Sequence, residues 1–466
     1  MYKLFFIILS CHLSFCLLGQ ASEYFVIDNI ILDGNEHTVP QVIYNELDVT
    51  IGDTVWLKDL STFKLENEKR ILSTALFTSA QINIKNWDTE STTADVAIYL
   101  RENWYIYPSI IFELADRNFN VWWTEMNRDW SRVNYGVGLD HINLTGRKDK
   151  MKLKVQHGYT RKYELRYNYP YLTPEWGVFG EIFYANQREI GYQTVENKTL
   201  FLKEDDERIL LQRFRTGGGV NYRPDAFQFH DMKVEYHHNQ IDELIATEIN
   251  PAYFLNEDTD LRYFALKYDY VFDRRIFNLY PEGGFMLFAN LTKEGVGVFQ
   301  DFNNFSVAAG IEKHFRLNDR LYYGGRIKVK ANLIRNTVAF ANNTGLGYGN
   351  DLVRGYELYV IDGTDWALAK SSLRYLLWEK NVDWGNYMLI EQFKKMSTRL
   401  FIRANLDFGF VNEPTYIQTN TLNNRMLIGY GPALDLLLFH TYKFSFEYSF
   451  NHIGESGLYL SGGFNF

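Results

Sequence analysis

An arginine in a loop is the side chain of this 466-residue sequence whose surroundings suggest specific chemistry. Arg354 belongs to the stretch LVRGYE (352–357), in a segment rich in Gly and Asn between two runs that alternate apolar and polar residues. A planar guanidinium can bind a carboxylate through two parallel hydrogen bonds and so fix a loop in one position. Most loop arginines are simply solvated, however, so the role of Arg354 depends on the elements around it.

Other groups that could do chemistry do not have the spacing for it. The sequence GESG at 454–457 lacks the spacing of a nucleophile elbow. Neighbouring His237 and His238 point to opposite faces of a strand and do not readily chelate one metal ion. The glycines of GLGYG at 345–349 are not followed by a helix, as a dinucleotide or phosphate site requires. The sequence therefore predicts no catalytic residue, no metal site and no cofactor, and the protein is not expected to be an enzyme.

Composition favours a β-protein and argues against nucleic acid as a partner. Aromatic residues make up 17% of the chain, with 33 Tyr and 35 Phe, and the formal net charge is -9. Mean hydropathy is -0.28, and no segment beyond the first residues approaches the roughly 18 apolar residues of a membrane helix. The chain has no Lys/Arg run of the kind that binds nucleic acid. Aromatic residues at this density are typical of the girdles of a membrane β-barrel.

The first residues predict export from the cytoplasm. MYKLFFIILSCHLSFCLLGQA has one cation, Lys3, then a mostly apolar run and small residues before the end of the segment. This layout is that of a secretory signal peptide, residues 1–21, cleaved after Ala21. The alternative is a lipoprotein processed before Cys11. Both cysteines lie inside this segment, so the mature chain is expected to fold without disulfides.

Residues 22–102 predict a small α+β domain with the element order β-α-α-β-β. YFVIDNIILDG is a strand, and Thr38 and Pro40 then open a short helix through Leu47, as a cap and an early proline do. Apolar residues near helical spacing predict a second helix over about 57–74. FTSAQINIKNW and ADVAIYLRE then alternate as strands.

From residue 103 to the end the pattern is that of strands alone. Alternating runs such as MKLKVQHGY, WGVFGEIFYA, YYGGRIKVKANLI and YKFSFEYSF recur at intervals of roughly 20 residues, separated by polar loops. The 364 residues of 103–466, at about 22 per strand and connection, give about 16 strands. An even number of antiparallel strands is typical of an outer-membrane barrel, because closure satisfies every backbone group in lipid. The last run, GLYLSGGFNF, ends the chain on an aromatic residue.

At this point the sequence resembles a known family, the outer-membrane assembly and translocation factors of the BamA, TamA and mitochondrial Sam type. Their fold is one or more POTRA domains followed by a 16-stranded surface-antigen β-barrel. The resemblance covers nearly all of the mature chain. In the α+β domain it rests on DGNEHTVPQVIYNEL, IGD and RILSTALF; in the barrel it rests on VRGY, DFG, FDRRIFNLYPEGG and NLTG.

The resemblance implies that VRGY lies on a long sixth extracellular loop, about 336–365, which folds back into the lumen. The motif residues are Val353, Arg354, Gly355 and Tyr356. An arginine there requires a carboxylate, since an unpaired buried guanidinium is costly. Strand parity supplies one, because apolar alternate positions of LFIRANLDFGF facing lipid turn Arg403, Asn405 and Asp407 inward. Asp407 and Gly409 of the DFG motif are therefore the expected lumen partners.

One departure from the family affects this expectation. Related proteins often place a glutamate on the strand after the loop, whereas here AKSSLRYLL has Arg374 near that point and Lys370 on the same face. Asp407 then serves more than one cation, or Glu379 or Glu391 takes the place of the second carboxylate.

The resemblance implies an outer-membrane protein of a Gram-negative-type cell, with its POTRA domain in the periplasm, that inserts or translocates other proteins without a nucleotide. Clients pair by β-augmentation with an edge strand at about Phe77–Trp87 and enter at a seam between the first barrel strand (about 105–115) and the last. Gly462, Gly463, Phe464 and Phe466 of the last strand belong to this seam, which the glycines weaken.

Partners implied in this way are unfolded outer-membrane or exported proteins, membrane lipids and accessory lipoproteins, with no nucleic acid. The alternatives are an export pore of the two-partner secretion type, which typically has two POTRA domains and a plug helix, and a passive porin or barrel enzyme.

Overall fold

The structure, a computed structural model, describes residues 23–464 except 89, 171, 205–207, 226, 277–278, 300–302, 384, 388–394, 415–419 and 439–441. The predicted signal peptide, Glu391 and Phe466 lie outside these residues. The chain forms two compact units. Among the described residues, the first unit consists of 23–107 and 141–150, and the second of 108–140 and 151–464.

The first unit contains the predicted order β-α-α-β-β with one additional short strand. Its elements are β1 (Tyr24–Asp33), α1 (Pro40–Tyr44), β2 (Thr54–Trp56), α2 (Leu60–Ser73), β3 (Phe77–Asp88) and β4 (Thr93–Glu102). The sheet order is β2-β1-β4-β3, so β3 is an edge strand. β1 runs parallel to β4, and the other two pairs are antiparallel.

The first helix begins at Pro40 as the sequence predicted, but its cap and its end differ from the prediction. Helix α1 is capped by Val39, without a side-chain hydrogen bond, and it ends at Tyr44 rather than at Leu47. The hydroxyl of Thr38 instead accepts a hydrogen bond from the side chain of Asn143 at 2.9 Å. The hydroxyl oxygen of Thr38, which was predicted to cap α1, is thus bound by a residue that is distant in the sequence.

A buried amide helps to fix α2. Asn67 interrupts the apolar pattern of this helix, yet it is fully buried. Its Nδ2 donates to the carbonyl of Phe63 at 2.9 Å, and its Oδ1 accepts from the backbone N–H of Asp48 at 3.0 Å. Because both polar groups of Asn67 are hydrogen-bonded, burying this side chain costs little free energy. The surrounding core is formed by β1, β3, β4 and α2, and its fully buried residues include Phe25, Ile27, Ile71, Ile82 and Ile98.

The NLTG turn also belongs to this unit. Asn143 is fully buried, and its carbonyl lies 2.7 Å from Nε2 of His37. Gly146 has a φ of +81°, and a Cβ there would lie 2.4 Å from the carbonyl oxygen of His37. An ion pair between Lys148 and Glu46, at 2.8 Å, adds a third contact. The turn therefore packs closely against residues 37–46.

Sixteen antiparallel strands form the second sheet of the described residues, and this confirms the predicted number and class. Each strand is hydrogen-bonded to the strands that precede and follow it in this sheet along the chain, so the order runs from the last strand to the first. The strands are β5 (Ile106–Leu114), β6 (Val133–Ile142), β7 (Lys150–Gly158), β8 (Thr160–Tyr169), β9 (Trp176–Gln187), β12 (Leu211–Tyr222), β13 (Gln228–Ile241), β14 (Asp260–Asp273), β15 (Gly284–Glu294), β16 (Asn304–Arg316), β17 (Leu321–Asn332), β18 (Asp365–Asp383), β19 (Lys395–Asn412), β20 (Leu427–Leu438), β21 (Tyr442–Asn451) and β22 (Ser456–Phe464).

Two elements between the strands were not predicted. A hairpin of β10 (Glu189–Val195) and β11 (Lys198–Lys203) lies between β9 and β12, and helix α3 (Phe119–Thr124) lies between β5 and β6. None of the helices in the described part of the chain is long and apolar enough to cross a membrane.

Burial alternates along the strands as the sequence predicts. In β19 the side chains of Arg403, Asn405 and Asp407 are buried, while their neighbours Leu406 and Phe408 are about 40% exposed. The same alternation continues in β20 and β21. One face of this sheet is thus apolar and exposed, and the opposite face carries buried polar groups.

Candidate functional site

A loop of 32 residues, 333–364, packs against the polar face of the second sheet. We name this segment the arginine loop and the face that it covers the inner face. Leu346, Val353, Tyr356 and Ile361 of the loop form one buried cluster with residues of the strands that follow it, which are Trp366, Leu368, Val411 and Leu427. A loop usually lies at the surface, so the burial of this one requires specific partners for its polar groups.

Glycines in the loop and in the wall permit the close approach. Gly355 has a φ of +84°, and a Cβ there would lie 2.8 Å from the carbonyl oxygen of Phe450. A Cβ on Gly409 would lie 2.4 Å from the side chain of Val353, and one on Gly429 would lie 1.7 Å from the carbonyl oxygen of Arg354. Gly409, predicted as a lumen partner, therefore contributes space rather than a hydrogen bond.

The structure brings Arg354 and Asp407 together. Nη1 of Arg354 lies 2.6 Å from Oδ1 of Asp407, and the backbone N–H of Arg354 donates to Oδ2 at 3.2 Å. Asp407 is fully buried, and Lys370 lies 3.6 Å from its Oδ2. Lys370 also donates to the carbonyl of Leu352 at 2.8 Å. One carboxylate therefore serves two cations, which is the first of the two alternatives that the sequence left open.

The second carboxylate is Glu447, which the sequence reasoning missed. Its Oε2 lies 3.3 Å from Nε of Arg354 and 3.1 Å from Nη2 of Arg403. Glu379, one of the predicted substitutes, is exposed and lies opposite Arg399 in the β18–β19 register. Glu447 could have been found in YKFSFEYSF, where it is the only carboxylate and shares the parity of Ser445 and Ser449.

Arg403 extends the network further along the inner face. It is buried and pairs with Asp435 through Nε at 2.7 Å and Nη2 at 3.2 Å. Asp435 in turn accepts a hydrogen bond from the hydroxyl of Tyr280 at 2.8 Å. Tyr280 belongs to the segment FDRRIFNLYPEGG, so this motif and VRGY are the two ends of one chain of polar contacts. Three cations and three carboxylates share these contacts and balance each other formally.

Tyr356 and the last hairpin hold the loop on its other side. Tyr356 is fully buried, and its hydroxyl contacts Nδ1 of His452. The side chain of Asn451 donates to the carbonyl of Gly355 at 2.8 Å. The VRGY residues are thus fixed by side chain, backbone and packing together.

Glu357, which follows the motif, is a buried carboxyl group of the loop. Burial raises its pKa to about 8, with a contribution from the nearby charge of Glu447. Its Oε2 has no hydrogen-bond partner among the described residues. The neutral form of this side chain avoids adding a fourth negative charge to the network.

The predicted seam residues lie in a regular strand. Gly462 and Gly463 of β22 pair with Phe444 and Lys443 of β21. A Cβ at either glycine would meet only ordinary contacts, at 3.8 and 3.5 Å. A polar cavity of about 540 Å³, lined by Arg354, Lys370 and Ser461–Gly463, reaches this strand. Phe464 ends β22, opposite Tyr442.

Comparison with solved structures identifies the fold. BamA from Haemophilus ducreyi lacking POTRA domains 1–3 is similar over 94% of this chain and 84% of that one, with 13% identity and a TM-score of 0.57. CdiB from Acinetobacter baumannii is similar over 94% of this chain and 73% of that one, with 11% identity and a TM-score of 0.52. No family model matches the sequence, and no curated protein matches it.

Proposed function

We propose that this chain, which has the fold of the BamA barrel, is an outer-membrane factor that inserts other proteins into that membrane. The observation that carries the proposal is the VRGY arginine held on a buried aspartate of a sixteen-stranded sheet. In the family that the sequence resembles, this loop is the most specific motif of the barrel. The residues on which the resemblance rests and the contacts of Arg354 support the same assignment.

Exposed apolar side chains support a membrane location for the second sheet. The face opposite the arginine loop carries large apolar residues on successive strands, among them Ile402, Leu406, Tyr430, Leu434, Phe444 and Phe446, all between 39% and 50% exposed. A contiguous apolar surface on a large sheet is unfavourable in water and favourable in lipid. The strands are therefore assigned to the hydrocarbon layer, and the barrel to the outer membrane.

The first unit is assigned as a single POTRA domain in the periplasm that receives extended clients. Strand β3 is at the edge of its sheet, and an edge strand offers unpaired backbone groups to another chain. One of these groups, the N–H of Ile82, donates to Oε1 of Glu68 at 2.7 Å. A client strand that pairs with β3 must replace this carboxylate with its own carbonyl oxygen.

The mechanism follows from backbone pairing and requires no covalent step. A client first adds to β3, and its barrel-forming strands then pair with the ends of the sixteen-stranded order, β5 and β22. Backbone hydrogen bonds are exchanged one for one, so the free energy of insertion comes from the client's apolar surface entering lipid. No described residue is assigned to nucleotide binding or catalysis.

Depletion of the protein tests this function. Loss of many barrel proteins from the outer membrane, measured by quantitative proteomics, is the result that insertion predicts. The competing function, an export pore, predicts an unchanged outer-membrane proteome and the loss of one exported protein from the medium. An unchanged proteome in both compartments would contradict both functions.

A further inference from the structure

The side chain of Asn120 binds the backbone of the last strand. Asn120 lies in helix α3 and is buried. Its Oδ1 accepts a hydrogen bond from the N–H of Leu460 at 3.0 Å, and its Nδ2 donates to the carbonyl of Leu460 at 3.4 Å. An amide side chain carries the same donor and acceptor as a peptide group. Asn120 therefore makes the two bonds that a residue of a neighbouring strand would make.

These bonds are on the free side of β22. Leu460 lies opposite Phe446 in the β21–β22 register. In an antiparallel pair each residue directs its N–H and its C=O to the same side, and successive residues alternate. Both backbone groups of Leu460 bind Asn120. The N–H and C=O of Leu460 therefore point away from β21, towards the side on which a further strand would pair.

The arginine loop positions the segment that carries Asn120. Arg117 is largely buried and donates to loop carbonyls, which include Leu358 at 2.6 Å and Tyr359 at 2.8 Å. Asn118 caps α3 by accepting from the N–H of Val121 at 2.9 Å, and its Nδ2 donates to the carbonyl of Glu357 at 2.8 Å. The backbone after VRGY is thus linked to the edge of β22 through a few side chains.

We propose that Asn120 is a cap on the free edge of β22, which occupies the backbone of Leu460 until an extended client strand displaces it. The proposal rests on the proposed function, which supplies the client. The groups that Asn120 replaces are backbone groups, so the partner is any extended polypeptide and not a particular sequence.

Amide exchange at Leu460 tests whether Asn120 holds the edge. The purified full chain in nanodiscs is compared with Asn120→Ala, Asn120→Asp and the control Thr124→Ala, an exposed position of the same helix. Loss of one hydrogen bond changes an opening equilibrium about tenfold. Exchange of the Leu460 amide is therefore expected to rise about tenfold in Asn120→Ala. It is expected to stay near that of the unsubstituted chain in Asn120→Asp, which keeps the acceptor, and in the control.

Photo-crosslinking tests the docking itself. A benzophenone amino acid at Ser461 is placed in each of these chains, and a urea-denatured outer-membrane barrel protein is added as the probe. Crosslinks to the probe are expected to increase severalfold in Asn120→Ala relative to the unsubstituted chain and to Thr124→Ala.

Two results would overturn the proposal. Equal Leu460 exchange in Asn120→Ala and the unsubstituted chain would show that Asn120 does not hold this edge. Raised exchange without increased crosslinking would show that clients do not dock there. In the second case, loss of barrel proteins on depletion would still support the proposed function. An unchanged outer-membrane proteome would contradict the proposed function, but it would not affect the conclusion from amide exchange.

Discussion

Arg354 lies between two carboxylates on different strands, and the two are unequal. Asp407 on β19 is fully buried and receives both a side-chain and a backbone hydrogen bond from Arg354, while Glu447 on β21 is shared with Arg403. Removal of one member of a buried pair leaves a charge without compensation and costs roughly 3 to 5 kcal/mol, whereas an exposed pair contributes about 0 to 1 kcal/mol. The burial of Asp407 places this pair nearer to the first limit.

The pair can be tested by a double-mutant cycle. Arg354→Ala and Asp407→Ala are each expected to release the arginine loop and impair function, and the double variant to be less severe than the sum, by about 1 to 3 kcal/mol. Protease cleavage within 333–364, measured against urea concentration in lipid, gives the free energy of loop release. Additive effects would show that the two side chains are not coupled.

Arg403 belongs to the strands of the sheet and not to the arginine loop. Its pairs with Asp435 and Glu447 are buried, so Arg403→Ala is expected to destabilise the whole sheet. The readout is heat-modifiable migration in detergent, in which the midpoint temperature of unfolding falls for Arg403→Ala more than for Arg354→Ala. The reverse order would indicate that the loop, and not the network on the wall, stabilises the sheet.

A glycine of the wall gives a steric test of the same contact. A Cβ at Gly429 would lie 1.7 Å from the carbonyl oxygen of Arg354, whereas one at Gly180 would lie 3.8 Å from its nearest neighbour. Gly429→Ala is therefore expected to expose the arginine loop to protease, while Gly180→Ala, the matched strand control, leaves it protected. Equal protection of both variants would place the loop elsewhere than on the inner face.

The pairing of Arg354 with Asp407 could be predicted from the sequence, because a motif of the family that it resembles and strand parity both indicated these residues. The role of Glu447 could not be predicted, since a lone carboxylate on a strand does not reveal which residues of other strands face it. The link from Tyr280 to Asp435 was hidden for the same reason, because it joins residues 155 positions apart.

At the scale of elements, a carboxylate at the end of β4 caps backbone groups of the first unit. Glu102 at the end of β4 accepts hydrogen bonds from the N–H of His37, at 3.1 Å, and of Thr38, at 2.6 Å. Partial burial raises its pKa, but these hydrogen bonds outweigh that effect and hold the pKa of Glu102 below its usual value. Glu102 thus ties the loop before α1 to the sheet.

This shift predicts a pH dependence of the first unit. Because the pKa in the folded state is lowered, the contribution of Glu102 is present above its unfolded pKa and is lost as the pH falls through the folded value. Pulse proteolysis of residues 34–40 in urea is expected to show a stability that falls as the pH is lowered through and below the unfolded pKa of a glutamate, about 4.3. Glu102→Gln should be less stable at pH 7 and lose this part of the dependence. The same slope in both proteins would assign it to other groups.

The capped edge of β3 gives a second test among the elements. Glu68→Ala frees the N–H of Ile82 and is expected to strengthen the binding of an extended peptide severalfold, since a competing hydrogen bond is removed. A fluorescent peptide with the sequence of residues 456–464 serves as the ligand in an anisotropy titration, and Glu66→Ala, an exposed neighbour on α2, is the control. Equal affinity in the two variants would exclude β3 at Ile82 as the pairing edge.

Element types were more predictable than their ends. The order β-α-α-β-β followed from periodicity, but Thr38 was assigned to a cap because the sequence does not show Asn143, which binds its hydroxyl from more than 100 residues away. Helix α3 and the β10–β11 hairpin lie inside loops, where short segments carry no sustained period.

At the scale of the whole molecule, sixteen strands could be counted because a sheet with one apolar face repeats the same alternation in every strand. The count also fixes which strands are first and last, β5 and β22. The proposed mechanism depends on these two end strands, because client strands are proposed to pair with them.

The most direct test of this mechanism is a reversible lock between β5 and β22. Cysteines are introduced at Ile110 and Ser461, both of which are exposed in the structure. A reducible bis-methanethiosulfonate reagent then joins them in liposomes, and folding of a urea-denatured barrel protein is followed by heat-modifiable migration. The linked protein is expected no longer to accelerate folding, and reduction is expected to restore the unmodified rate. Undiminished acceleration with complete crosslinking would contradict the proposed mechanism.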